Sequence, residues 1–150
     1  MRPKTHTPQT APFRWRGIPV LAYRQESGTH FRNISRQVLF DESGPGGIQL
    51  RYFEIAPGGH STLERHDHTH SVMVLRGRGR ALVGRAIHAL EANDLVRVPP
   101  RTWHQFRAAR GAPLGFLCLV RAERDKPRRP GARELAALRA DRRIGAFIRV

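Results

Sequence analysis

The stretch ERHDHTH, residues 64–70, constrains this chain more than any other. It sets Glu64, His66, His68 and His70 on alternate positions, so three of the protein's eight histidines share one strand parity with a carboxylate. In an extended strand the rise is roughly 3.3 Å per residue and alternate side chains face the same way, which lets Glu64 and His66 reach one ion. His70 would lie about 13 Å beyond His66 on a straight strand, too far for ligand bonds of about 2.1 Å. The chain must therefore bend between His66 and His70. Asp67 is a good turn former, because its side chain bonds nearby backbone N–H groups. A hairpin is expected, with one strand ending at His66, the next beginning near His70, and His68 at the bend. Glu64, His66 and His70 then converge.

At 150 residues the chain is expected to form one domain with a real core around a small site. A single cysteine, Cys118, excludes an internal disulfide and a cysteine-based zinc site, and in the run GFLCLV it reads as a buried inert thiol. No apolar stretch approaches the roughly 20 residues of a membrane helix. The segment MRPKTHTPQTAP lacks the apolar core of a secretory signal, so a cytoplasmic protein is expected.

The net charge of +15 is concentrated in the ends. Residues 1–32 carry six Lys and Arg against one Glu, net +5, and residues 121–150 carry ten against four, net +6. Nucleic-acid binding is the obvious reading of such charge. No helix-turn-helix, zinc finger or basic–aromatic interleaving supports it. With 25 arginines and two lysines, a compositional arginine bias explains the excess as well.

Residues 1–12 read as loosely attached, and FRWRGIPVLAY, 13–23, as an edge strand or arm. Strands are expected over 31–40 and 48–56, with turns at 41–47 and 57–59. HSVMVLRG, RALVG, AIHAL, LVRVPP, RTWHQFRAA and PLGFLCLV follow, each closed by turn residues. Seven or eight short strands without helical periodicity predict an all-β antiparallel barrel or jelly roll. DKPRRPG, 125–131, reads as a basic linker. Beyond it Leu135 and Leu138 have helical spacing, and Asp141 is placed to cap a last turn carrying Ile144, Phe147 and Ile148. The chain divides into a basic arm, 1–29, a barrel, 30–122, and a linker with a helical tail, 123–150. The tail's apolar face must cover the barrel or a second subunit, and a homodimer is expected.

GGHSTLERHDHTHSVMVLRGRG resembles the first conserved motif of the cupins, and NDLVRVPPRTWHQF resembles the second. The family pattern sets two histidines one residue apart, then a Glu, then a Gly seven beyond it. Counting back from Gly77 puts the Glu position at His70 and the histidine positions at Glu64 and His66, so Glu and His are exchanged here. In the second motif Pro99, Arg101 and His104 fall on the proline, glycine and histidine positions. Arg101 and Asn93 stand where the family has glycines. The resemblance implies a double-stranded β-helix and a metal held by Glu64, His66, His70 and His104, with His68 as a possible neighbour of the ligands.

Three imidazoles and a carboxylate leave two open positions on an octahedral divalent ion. Fe, Mn, Ni, Co and Zn are all compatible. Glu64 is the expected catalytic acid or base, and Tyr52, Met73, Trp103 and Phe106 the expected lining of a small-molecule pocket, while His60 and His88 read as surface residues. The expected activity is that of a metal-dependent enzyme, dioxygenase-like, on a small oxygenated or anionic substrate. A non-catalytic sensor and a cupin isomerase or decarboxylase are the alternatives.

Overall fold

The computed structural model describes residues 5–150. Its ten strands run β1 Gln9–Ala11, β2 Arg14–Trp15, β3 Leu21–Ala22, β4 Arg32–Asp41, β5 Ile48–His60, β6 His70–Val83, β7 Ala86–Glu91, β8 Leu95–Val98, β9 His104–Ala108 and β10 Leu114–Arg121. Two helices follow, α1 Ala132–Ala140 and α2 Arg142–Phe147. All pairings are antiparallel. β5 and β6 each pair with both β9 and β10, so these four strands close a ring. The expected barrel with a helical tail is what the chain forms. No helix among the described residues is long and apolar enough to cross a membrane.

Glycines extend two strands past their expected ends. The predicted break at 57–59 is a bend inside β5, where Gly58 has φ 76°. HSVMVLRG and RALVG are one strand, β6, which changes partners at Gly77. Gly77 has φ 72°, and a Cβ there would lie 1.7 Å from the carbonyl oxygen of Pro113. Only glycine fits so close a backbone approach.

Inside the barrel lie Phe53, Ile55, Val72, Val74, Phe106 and Phe116, among others. A second cluster sits outside it, where Leu138, Ile144, Phe147 and Ile148 of the tail cover Leu63 and Leu82. The tail's apolar face is thus spent on its own barrel. Each such side chain, fully buried, contributes about 1.5–3 kcal/mol. Asp141 caps α2 as expected, its carboxylate accepting from the amides of Arg143 and Ile144. Residues 1–4 of the arm lie outside the described residues; over 5–29 it is more ordered than expected, with β1 paired to β2 and β3 extending the sheet beside β4.

Candidate metal centre and its cavity

His66, His70 and His104 meet. One ring nitrogen from each lies within 4.8 Å of the other two, and no other group of metal-binding side chains is assembled among the described residues. The elements responsible are the bend at 67–68, the start of β6 and the start of β9. The bend is as expected, the hairpin is not. Glu64 pairs with His104 and Arg65 with Arg128, whereas His70 pairs with Val98 of β8. Residues 64–66 thus lie beside the start of β9 and the basic linker, and the bend carries the chain across to another part of the barrel.

Two backbone hydrogen bonds fix which nitrogens face the centre. The Nδ1–H of His66 donates to the carbonyl of His68 at 2.6 Å, and the Nδ1–H of His104 donates to that of Thr102 at 2.9 Å. Each ring therefore presents a bare Nε2, the usual arrangement for a metal-ligating histidine. The Nε2 of His66 is buried and has no hydrogen-bond partner. A buried polar atom left so is uncommon, and an ion is one of the partners that accounts for it. Burial, with the neighbouring rings, pushes His66 down to about 4 and His104 to about 3. His70 is lowered strongly, again chiefly by burial and then by His104 and His66. All three are neutral at physiological pH, the state a cation requires. The residues present fit a divalent transition metal.

His68 belongs to the edge of this group. Its ring stacks on His66 with centroids 3.7 Å apart, and its Nε2 lies 3.1 Å from the Nε2 of His70. Its Nδ1–H donates to Asp125 at 2.7 Å. Burial opposes ionisation of Asp125, but the amides of Asp67 and His68 and the His68 ring outweigh it and hold the carboxyl down at about 2. Asp125 lies in the segment read as a linker.

Glu64 lines the same cavity but is not one of the group that the three imidazoles form. Its carboxylate pairs with Arg24 of the arm at 2.5 Å, and burial nonetheless pushes it up to about 7. The cavity measures about 400 Å³. Its lining includes His68, His70, His104 and Glu64 together with the apolar rings of Phe53, Phe106 and Phe116. Arg24, Arg36, Arg51 and Arg124 supply four guanidiniums.

Of the four residues expected to line this space, Phe106 does. The other three do not, for reasons of strand parity and cover. Met73 alternates with the inward Val72 and Val74 and stands on the outer face, 36% exposed. Tyr52 alternates with Phe53 and is buried from outside by the arm, against Phe13 and Trp15. Trp103 packs beside the tail cluster, with the guanidiniums of Arg65 and Arg128 over its ring. His60 is buried, not on the surface, because β5 continues through it; His88 is exposed.

Cys118 also opens onto the cavity, its Sγ 3.6 Å from a guanidinium nitrogen of Arg51. Burial raises its pKa, while Arg51 works against that rise. The signal was present in the strand: Phe116, Cys118 and Val120 share the inward parity of β10. Leu117 and Leu119, apolar on the outer face, hid the alternation.

Comparison with known proteins agrees with this architecture. The family profile of the cupin domain matches residues 51–120. A curated protein of Rhodospirillum rubrum, 1-methylthio-D-xylulose 5-phosphate methylsulfurylase, is 55% identical over 141 residues, 94% of this chain and 90% of that one. The chain belongs to the cupin family. A cupin 2 conserved barrel domain protein from Rhodopseudomonas palustris superposes with a TM-score of 0.91 at 51% identity, covering 97% of this cupin and 100% of that chain. A cupin-2 domain protein from Rhodospirillum rubrum gives a TM-score of 0.83 at 54% identity, over 95% and 94%. The two family positions filled by Asn93 and Arg101 keep a glycine-like backbone, with φ 77° and 55°.

Proposed function

We propose that this cupin removes the methylsulfur group of 1-methylthio-D-xylulose 5-phosphate, or of a close ketose phosphate thioether, and hands it to a thiol through Cys118. The observation that carries this is the position of Cys118: its sulfur shares one small cavity with two of the three clustered imidazoles and with four arginines. The near-full-length relative named for this substrate supports the choice of ligand. A phosphate dianion suits Arg36 and Arg124, since guanidinium pairs with phosphate bidentately.

The chemistry balances with the residues present. The Cys118 thiolate, held beside Arg51, bonds to the thioether sulfur. The C1–S bond breaks, and its electron pair stays on C1 as the enolate of the C2 ketone. Protonation at C1 leaves a 1-deoxy ketose phosphate, and Cys118 carries a methyl disulfide. A small external thiol then takes the methylsulfur group as a mixed disulfide and returns Cys118 as thiolate. A divalent ion bound by His66, His70 and His104 would supply Lewis acidity toward the oxygens beside C1. Glu64, which lines the same cavity and is paired with Arg24, is the acid–base group of this reading.

The test is mass spectrometry of protein mixed with the ketose phosphate in the absence of added thiol. Cys118 is expected to gain one methylthio group in place of hydrogen, and to lose it when a small thiol is added. A Cys118→Ala protein that turns over at the parent rate overturns the proposal. A dioxygenase-like reaction on a small anionic substrate is the second reading, favoured by the three neutral imidazoles alone. It makes no use of Cys118, so substrate-dependent O₂ uptake that survives Cys118→Ala would select it.

A further inference from the structure

A second groove lies away from the metal centre, between the β6 and β9 backbones and the end of the tail. It measures about 740 Å³. Arg78, Arg80, Arg107, Arg110 and Arg149 all line it. None of the five is within ion-pair distance of a carboxylate among the described residues. Glu91 and Asp94 share the groove, but Asp94 accepts a hydrogen bond from the amide of Glu91 instead.

Several of these guanidiniums are fixed in place. Arg80 and Arg107 lie over the Phe147 ring, 5.3 and 5.1 Å from its centroid. Arg107 donates to the Phe147 carbonyl at 2.6 Å, and Arg149 donates to those of Ala146 and Ile148 at 2.9 and 2.8 Å. Capping the end of α2 accounts for those bonds, yet each uses a single nitrogen of a group with five donors. Arg107 is lowered by burial and then by Arg149, Arg80 and Arg110. Crowded like charges held by packing, without a counterion, are the arrangement that an anion relieves.

We infer that this groove binds an oligophosphate anion of the pyrophosphate type. Five guanidiniums lining one groove are more than a single phosphate needs, and suit an anion of two or more linked phosphates. The apolar part of the wall consists of Leu90 and small alanines, and no aromatic ring lines the groove, so it offers no platform on which a base could stack. A second copy of the chain is a poor occupant, because its 12 carboxylates are scattered along the sequence and offer no acidic run.

The experiment is isothermal titration of the full-length protein with pyrophosphate at about 0.15 M salt. Arg78→Ala/Arg110→Ala removes two guanidiniums that make no side-chain hydrogen bond in the fold, and is expected to weaken binding by more than about tenfold. Arg133→Ala/Arg139→Ala loses the same charge from α1 and is expected to bind within about twofold of the parent. Arg36→Ala/Arg124→Ala, in the metal-centre cavity, is expected to retain binding. Equal losses in the groove and α1 variants, no measurable binding by the parent, or loss confined to the cavity variant would each overturn the inference. So would a single-stranded oligonucleotide that binds the groove more tightly than pyrophosphate at the same salt. Matching melting temperatures of all variants confirm that the fold is intact.

Discussion

Arg101→Gly should stabilise this protein although it deletes a side chain. Arg101 holds φ 55°, in the left-handed region, at the position where cupins carry glycine. A residue with a Cβ is disfavoured there by roughly 1–2 kcal/mol. The Arg101 side chain is exposed, and its amide, which donates to the His66 carbonyl at 2.6 Å, is kept by glycine. Against this stands the greater freedom of glycine in the unfolded chain, worth about 0.5–1 kcal/mol. The difference is a net gain of roughly 0.5–1 kcal/mol, or a rise of about 2–3 °C in Tm for a chain of this length. Asn93 provides an internal comparison. It holds φ 77°, but asparagine tolerates that region better, so Asn93→Gly should gain less. Scanning calorimetry of the three proteins decides the matter. A lower Tm for Arg101→Gly than for the parent, or a larger gain for Asn93→Gly, would refute the reasoning.

Three other outcomes are expected. His66→Ala/His104→Ala should purify with far less bound transition metal than the parent, and His88→Ala, on the surface, with as much; elemental analysis that finds equal metal in the double variant would remove the centre. Gly77→Ala should lose roughly 3 kcal/mol or more, because the new Cβ meets the Pro113 carbonyl and φ is 72°, and denaturant titration showing a loss below about 1 kcal/mol would contradict it. Glu134 is held down at about 2 by Arg128 and the Gly131 amide, from an ordinary 4.5. A depressed carboxylate stabilises the fold above its unfolded pKa and ceases to do so as pH falls through its folded one. Glu134→Gln should therefore melt below the parent at neutral pH, with the gap closing between pH 4.5 and about 2; a gap independent of pH would count against the ion pair.

The sequence carried the barrel and the histidine cluster because both follow from local rules. Alternation along β5 and β6, and the distance argument between His66 and His70, need no knowledge of distant contacts. What it did not carry depends on which face of a strand is covered. Tyr52 and Met73 are both outward, yet one is sealed by the arm and the other is exposed. Nothing local to either residue distinguishes the two. Glu64 reads as a ligand by parity, but Arg24, 40 residues earlier, claims its carboxylate. Asp125 sits in a stretch whose prolines and charges read as a linker, and its hold on His68 appears only in three dimensions. Cys118 was obscured by apolar neighbours on both parities.

The partners of β6 bear on how the chain is made. That one strand is bordered by β7, β8, β9 and β10, and the last of these ends at Arg121. During synthesis β6 emerges early with two bare edges, and the ring cannot close until residues 114–121 arrive. Such long-range pairing is slow and leaves unpaired edges open to other chains meanwhile. A lag between translation and the native state, and sensitivity to crowding by sister nascent chains, follow from the connectivity of a single strand.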